Sequence, residues 1–354
     1  MSILFAILLF SLLIFVHELG HFMAAKASNV QVNEFSMFMG PAIFKKQKGE
    51  TLYSLRCIPI GGYCAMEGED KDTDNPRSFQ KAAWWKRLII LLAGSFMNFI
   101  IGFLIVVIVN ASSLMVTMQI DYLRDGSSLL ENNGLRAGDV ILQMDGRDIS
   151  NNADFSAALQ QDPEKTTFDV LVERDGEQVL LEGVLMELRE FAADEHGEAG
   201  KFYGITWATR KLTFPEVITT SWNDCVYFVK MVWMSIGMIF TGQAGLQDMS
   251  GPVGIVSMMN DMANASSSTL AAVLNLLYFG GFIAINLGVM NLLPIPALDG
   301  GRAVALLLTT AIQGITKKKI DTKYEAYIHA AGMVLLLGFM ALILFKDIFT
   351  IFKG

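Results

Sequence analysis

Two histidines and a glutamate stand in "HELGH", residues 17–21, inside a stretch that begins "MSILFAILLFSLLIFV" and is otherwise apolar. His17 and His21 are four residues apart, about 400° around a helix, so both imidazoles leave the same face one turn apart. That spacing suits two ligands of one tetrahedral Zn²⁺, and it leaves Glu18 placed to take a proton from water activated at the metal. The competing reading is a set of polar side chains satisfied inside a helix bundle. Against it, ionisable groups at membrane depth are costly unless they serve a function.

Two histidines are not enough, because a catalytic zinc commonly takes three protein ligands and keeps one position open. The other two histidines fit poorly: His196 sits in hydrophilic "ADEHGEAG", and His329 lies in the last apolar stretch, where packing explains it. A carboxylate is the natural third ligand, and the conspicuous one is Asp299 in "NLGVMNLLPIPALDGGR". Pro294 and Pro296 break a helix there, so the freed backbone groups must line protein or a wet cavity. Asn291 adds an amide just before the break. The alternative is that Asp299 merely caps a helix beginning near Arg302.

The elements that carry these residues belong to a membrane protein. Of 354 residues, 53% are hydrophobic and only 18% charged, which points to the membrane class and away from a soluble enzyme. A hydrocarbon core of roughly 30 Å needs about 20 apolar residues. Four stretches meet that length, approximately 2–25, 88–118, 270–298 and 327–345. The first reads as a retained span, since no Lys or Arg precedes it and a cleaved leader has no use for His-Glu-x-x-His.

Charge sets the expected orientation. Lys26 to Arg87 holds ten basic residues, and the loop after the third span holds Arg302, Lys317, Lys318, Lys319 and Lys323 against Asp321. Both segments are therefore expected in the cytoplasm, with both chain ends and residues 119–214 on the other side. That segment carries 19 acids against nine bases. Nothing points to nucleic acid, and Cys57, Cys64 and Cys225 form no C-x-x-C pair.

The expected organisation is a first membrane half over 1–118, a soluble α/β domain over 119–210, an interfacial helical linker over 211–265 and a second membrane half over 266–354. Within the soluble domain, "LRAGDVILQMDGRDI" gives a strand and an Asp145-Gly146 turn, "ADFSAALQQ" a helix, and "TTFDVLVERDGEQVLLEGVLME" a hairpin around Asp175-Gly176. Residues 31–66 are not a span: "NEFSMFMGPAIF" and "TLYSLRCIPIGGYCAM" read as strands joined by a charged turn. Residues 215–241 are apolar but contain Trp222, Lys230 and Trp233, which favours a helix lying at the interface over a span.

Taken with "SGPVGI" at 250–255, "NLLPIPALDGG" at 291–301, "IPIGGYCAMEGED" and "SFQKAAWWKRLIILLAGSFMNF", this pattern resembles the site-2 protease family of intramembrane zinc metalloproteases, specifically its bacterial RseP-type branch. The 119–210 segment is similar to a circularly permuted bacterial PDZ domain, present once where some relatives have two in tandem. The resemblance implies a polytopic α-helical membrane protein of four transmembrane helices, with a membrane-associated β-hairpin and one extracytoplasmic PDZ-like domain. It implies His17, His21 and Asp299 as zinc ligands, Glu18 as catalytic acid/base, Asn291 as a substrate-holding residue, and the 52–66 strands as the element that pairs with an extended substrate. The chain departs from the family's pattern at "AGS" (93–95), where Ala-Gly-Pro is usual, and at Cys64-Ala65, where Val-Lys is common.

The function expected is hydrolysis of peptide bonds in single-pass membrane proteins already cut by another protease, such as anti-sigma factors or remnant signal peptides. The setting is a bacterial cytoplasmic (inner) membrane, with membrane lipid as the other partner. The rivals are a metal transporter lined by the same three ligands, and a non-catalytic scaffold using the PDZ-like domain. A transporter has no need of Glu18, and a scaffold has no need of a complete His-Glu-x-x-His.

Overall fold

The computed structural model describes residues 2–69, 73–131, 134–160, 164–193, 199–245, 249–266, 268–317 and 322–353. The chain opens with α1 (Ser2–Ala27), passes through the strands β1 (Val32–Lys48) and β2 (Thr51–Met66), and returns as α2 (Trp84–Ser112). Then come β3 (Leu114–Leu123), the single turn α3 (Ser128–Glu131), β4 (Val140–Met144), β5 (Arg147–Asp148), α4 (Asn152–Gln160), β6 (Thr167–Arg174), β7 (Glu177–Leu185), β8 (Arg189–Phe191), β9 (Gly200–Phe202) and β10 (Ile205–Lys211). Five helices close the chain: α5 (Phe214–Phe240), α6 (Pro252–Asn264), α7 (Thr269–Asn291), α8 (Asp299–Thr316) and α9 (Thr322–Lys353). Two compact units emerge, Met1–Asn110 with Pro215–Gly354, and Ala111–Phe214.

In the first unit four helices are long and apolar enough to cross a membrane: Ile3–Ala27, Trp84–Ser112, Thr269–Asn291 and Ala330–Asp347. Helix is the form a lone segment takes in hydrocarbon, because it pairs every backbone group internally. The chain is thus a polytopic membrane protein with added sheets. The two largest departures from the expected spans are both at their C-terminal ends. The second span stops at Ser112 instead of 118, because residues 114–123 pair as β3 with β10. The third stops at Asn291 instead of 298, and residues 292–298 turn through Leu293 N–H to Met290 O (3.1 Å) and Leu298 N–H to Ile295 O (3.1 Å).

The helix after the break also starts earlier than expected, at Asp299 itself with Leu298 as its cap. Residues 215–240 lie in one helix, α5, which is not among the four apolar spans. Its stripe of Val217, Ser221, Cys225, Phe228 and Val232 is buried, and the last three cluster with Val106 of α2 and with Ile285 and Val289 of α7. At the far end of the chain Asp347 of α9 is buried, and its Oδ2 accepts from Gly254 N–H (3.0 Å) at the start of α6. A carboxylate there complements the unsatisfied donors of a helix N-terminus.

β1 pairs antiparallel with β2, yet residues 34–37 lie opposite two stretches of β2, 52–55 and 62–65. Both strands therefore fold back, at Gly40 (φ 85°) and Gly61 (φ 72°), where a side chain would be strained. One outcome narrows the expectation for 52–66. Residues 52–55 are enclosed between 34–37 and 44–47, whereas 62–66 pairs on one side alone, with 32–37, among the described residues.

The second unit holds the strand order β10-β3-β4-β6-β7, with β5 on β4. The expected helix and hairpins are present, and both Asp-Gly turns have the left-handed φ their tight geometry needs: Asp145 48°, Gly146 75°, Asp175 52°, Gly176 84°. Phe155 and Leu159 of α4 sit in its core with Ile141, Val170 and Val172. Phe155 meets Trp207 of β10 edge to face at 5.1 Å between ring centroids.

Candidate metal centre

The site begins with two glycines that let α1 and α2 touch. A Cβ on Gly20 would stand 2.4 Å from Ala93 O, and one on Gly94 would stand 2.3 Å from His21 Nε2 and 2.7 Å from His17 Cε1. Small residues at such crossings let two membrane helices approach backbone to backbone. The approach lets one stripe of α2, Ile90, Gly94 and Asn98, run past the two imidazoles one turn at a time.

Ile90 O lies 2.8 Å from His21 Nδ1, so that nitrogen donates and Nε2 keeps its lone pair for a ligand. Asn98 Nδ2 lies 3.2 Å from His17 Nδ1. His21 is 7% exposed, while His17, Glu18 and Asp299 are half-buried.

Asp299 reaches this place through tight packing behind it. A Cβ on Gly300 would meet Leu292 O at 2.2 Å and one on Gly301 would meet Ile295 O at 2.2 Å, so α8 can start only with glycines against the 292–296 turns. Ala297 holds φ 85°, a strained value for a side chain, to turn the chain into Asp299. From the other side Gly332 of α9 abuts Pro296, where a Cβ would come within 2.4 Å. One turn into α8, Arg302 pairs with Glu69 from the segment just after β2.

Three ligand atoms converge. His17 Nε2 is 3.0 Å and His21 Nε2 3.3 Å from Asp299 Oδ2, and the two Nε2 atoms are 3.2 Å apart. A tetrahedral zinc bonded at about 2.0–2.1 Å holds its ligand atoms roughly 3.3 Å apart, so the triangle fits that ion without rearrangement. Among the described residues this is the one cluster of His, Cys, Asp or Glu able to hold a metal. Cys64, in the nearby hairpin core, is buried, and burial pushes its thiol up, so it remains a protonated filler.

Glu18 points toward the hairpin: its Cγ lies 3.2 Å from where a Cβ on Gly62 would stand. Gly62 belongs to the half-paired segment 62–66, so the free strand side and the carboxylate are neighbours. The sheet is braced nearby by Glu34. Burial there raises its carboxyl, but hydrogen bonds from Arg56 (2.8 Å) and Ser54 (2.7 Å) outweigh it and hold the group below its usual range. Asn291 ends α7, half-buried, eight residues before Asp299 and outside the ligand triangle. His196 and the side chain of His329 lie outside the described residues.

Sequence reasoning missed Gly20, Gly94, Asn98 and the Glu69–Arg302 pair as parts of the site. A signal existed for Asn98, since a lone amide in an apolar span is itself a reason to seek a partner.

Comparison with known proteins finds relatives over nearly the length of the chain. The model of peptidase family M50 matches residues 5–339. A protein of Clostridium perfringens named as a zinc metalloprotease is 35% identical, covering 98% of each chain. One of Fusobacterium nucleatum with the same description is 34% identical, covering 100% of each. The regulator of sigma-W protease RasP of Bacillus subtilis is 27% identical, covering 98% of each.

Proposed function

The chain belongs to peptidase family M50 and is an intramembrane zinc metalloprotease, and from that premise we propose that His17, His21 and Asp299 hold its zinc while Glu18 moves the proton of hydrolysis. The observation that carries the assignment is the triangle of Nε2, Nε2 and Oδ2 atoms at 3.0–3.3 Å. When bound, zinc supplies Lewis acidity, acidifying water toward a pKa of about 7 and polarising a carbonyl. Glu18, beside the two histidines on α1, accepts the proton from the attacking water and returns it to the leaving nitrogen.

The substrate enters unwound, because a helix hides its carbonyls in its own hydrogen bonds. It pairs along 62–66 as an added strand, and its exposed backbone is satisfied there while it passes Glu18. Support for this comes from the unpaired side of that segment and from Gly62 against Glu18. Asn291, at the break before Asp299, offers an amide to the same extended chain.

The substrates are single-pass membrane proteins trimmed beforehand by another protease, anti-sigma factors among them, a class favoured by the sigma-W regulator among the relatives. The protein sits in a bacterial inner membrane with both termini and the PDZ-like unit outside the cytoplasm, an orientation that rests on the Lys and Arg bias of its loops. The PDZ-like unit excludes untrimmed substrates by bulk.

The test is cleavage of a single-span substrate by purified protein, wild type against Glu18→Gln. We expect the variant to keep its zinc and lose roughly 10²–10⁴ in rate. Equal cleavage by both would remove Glu18 from the mechanism.

A further inference from the structure

Asn98 sits in the middle of α2, 1% exposed, with its side chain turned to the metal centre. Its Nδ2 is 3.2 Å from His17 Nδ1, yet its Oδ1 is buried with no hydrogen-bond partner. A buried amide oxygen left unpaired is costly, and native structures rarely tolerate one without a reason.

The chemistry of His17 supplies that reason. Its Nε2 faces Asp299 Oδ2 and His21 Nε2, so it is the nitrogen given to zinc. A neutral imidazole that ligates through Nε2 carries its proton on Nδ1, which is then a donor. A donor cannot face the NH₂ of an amide. Turning the carboxamide by 180° exchanges two groups of nearly equal size and brings Oδ1 to Nδ1–H.

We infer that Asn98 is a positioning residue of the metal centre, accepting from His17 Nδ1–H through Oδ1 and so fixing Nε2 as the ligating nitrogen. It does for His17 what the Ile90 carbonyl does for His21. The two supports stand eight residues apart on one face of α2, so a single helix orients both imidazoles. The arrangement also accounts for a polar residue in the interior of this span. With no zinc bound, the proton moves to Nε2, which donates to Asp299, and the amide presents Nδ2 to Nδ1 instead. Asn98 serves both states by rotation, whereas a backbone carbonyl serves one. The inference rests on His17 being a zinc ligand.

The experiment is zinc affinity of the purified full-length chain in detergent, by competition with a chromophoric chelator, for wild type, Asn98→Leu and Asn98→Asp. Asn98→Leu keeps the bulk and removes the acceptor, and loss of an outer partner of this kind weakens metal binding by about 10- to 100-fold. Asn98→Asp keeps the shape, and an ionised carboxylate only accepts, so it stays within about threefold of wild type or binds more tightly. A merely structural role moves neither value, and a donor role ruins Asn98→Asp. The inference is overturned if Asn98→Leu binds zinc as tightly as wild type, or if Asn98→Asp loses tenfold or more. Should Asn98→Leu fail to elute as a folded species, Asn98→Ala takes its place as the variant without an acceptor, with the same loss expected and the same result overturning the inference. Wild type without tight zinc binding would instead sink the assignment of His17 on which this depends.

Discussion

At the scale of single residues, the site is defended as much by what is missing as by what is present. Gly94 has no side chain, and the space it leaves is occupied by the imidazoles: a Cβ there would stand 2.3 Å from His21 Nε2. Gly94→Ala must therefore push one ring off its ligating position, although alanine is the better helix former. We expect zinc affinity to fall at least about tenfold, on the scale of losing an orienting partner, with helix content by circular dichroism unchanged. Unchanged affinity in that variant would mean that the rings shift without penalty. The proposed histidine ligands stand out in the sequence, since the four-residue spacing of His17 and His21 is a property of any helix. Gly94 and Asn98 do not, because their importance lies in which residue of another helix stands opposite.

At the scale of elements, two loops carry the strain and charge that set the geometry. Ala297 turns the chain into Asp299 at φ 85°, where glycine is at ease and a β-branched residue is not. Ala297→Gly is expected to leave zinc binding intact and change stability by no more than about 1 kcal/mol, relief of strain offsetting added chain entropy. Ala297→Val should lower both the Tm and zinc affinity, measured on the same preparations. The turn between β1 and β2 is held differently. Arg77 (2.5 Å) and Lys26 (2.5 Å) both donate to the Glu50 carboxylate and depress its pKa from 4.5 to about 2. Because the folded value is the lower one, the stabilisation is full above the unfolded pKa and is lost as pH falls from about 4.5 to about 2. Hydrogen exchange of the turn should report that loss in wild type, while Glu50→Gln should be flat across the same window. Salt should shrink the difference, since the three side chains are partly exposed. The sequence announced both strands and their charged turn, yet their folding back on each other, which leaves 62–66 as the free side, depends on pairings between residues up to 34 apart.

At the scale of the whole molecule, the membrane unit carries the proposed metal site and the Ala111–Phe214 unit the selectivity proposed for it. Deleting residues 119–205 is expected to leave cleavage of a trimmed substrate unchanged and to permit cleavage of the untrimmed form, scored by gel in the same membranes. Continued discrimination after the deletion would defeat the bulk-exclusion role. Sequence alone determined the apolar spans, the shared face of His17 and His21 on α1, the two Asp-Gly hairpins and, through family motifs, the chemistry of hydrolysis. All of these are local patterns, set by helical period, turn type and residue order. Tertiary structure decided the rest: that Asp299, about 280 residues beyond the histidines, closes a triangle with them; that α2 supplies Ile90 O and Asn98 behind the rings; and that Gly62 lies against Glu18. Each of these is a close approach between segments distant in sequence, and such approaches depend on how side-chain volumes pack, which no local pattern records.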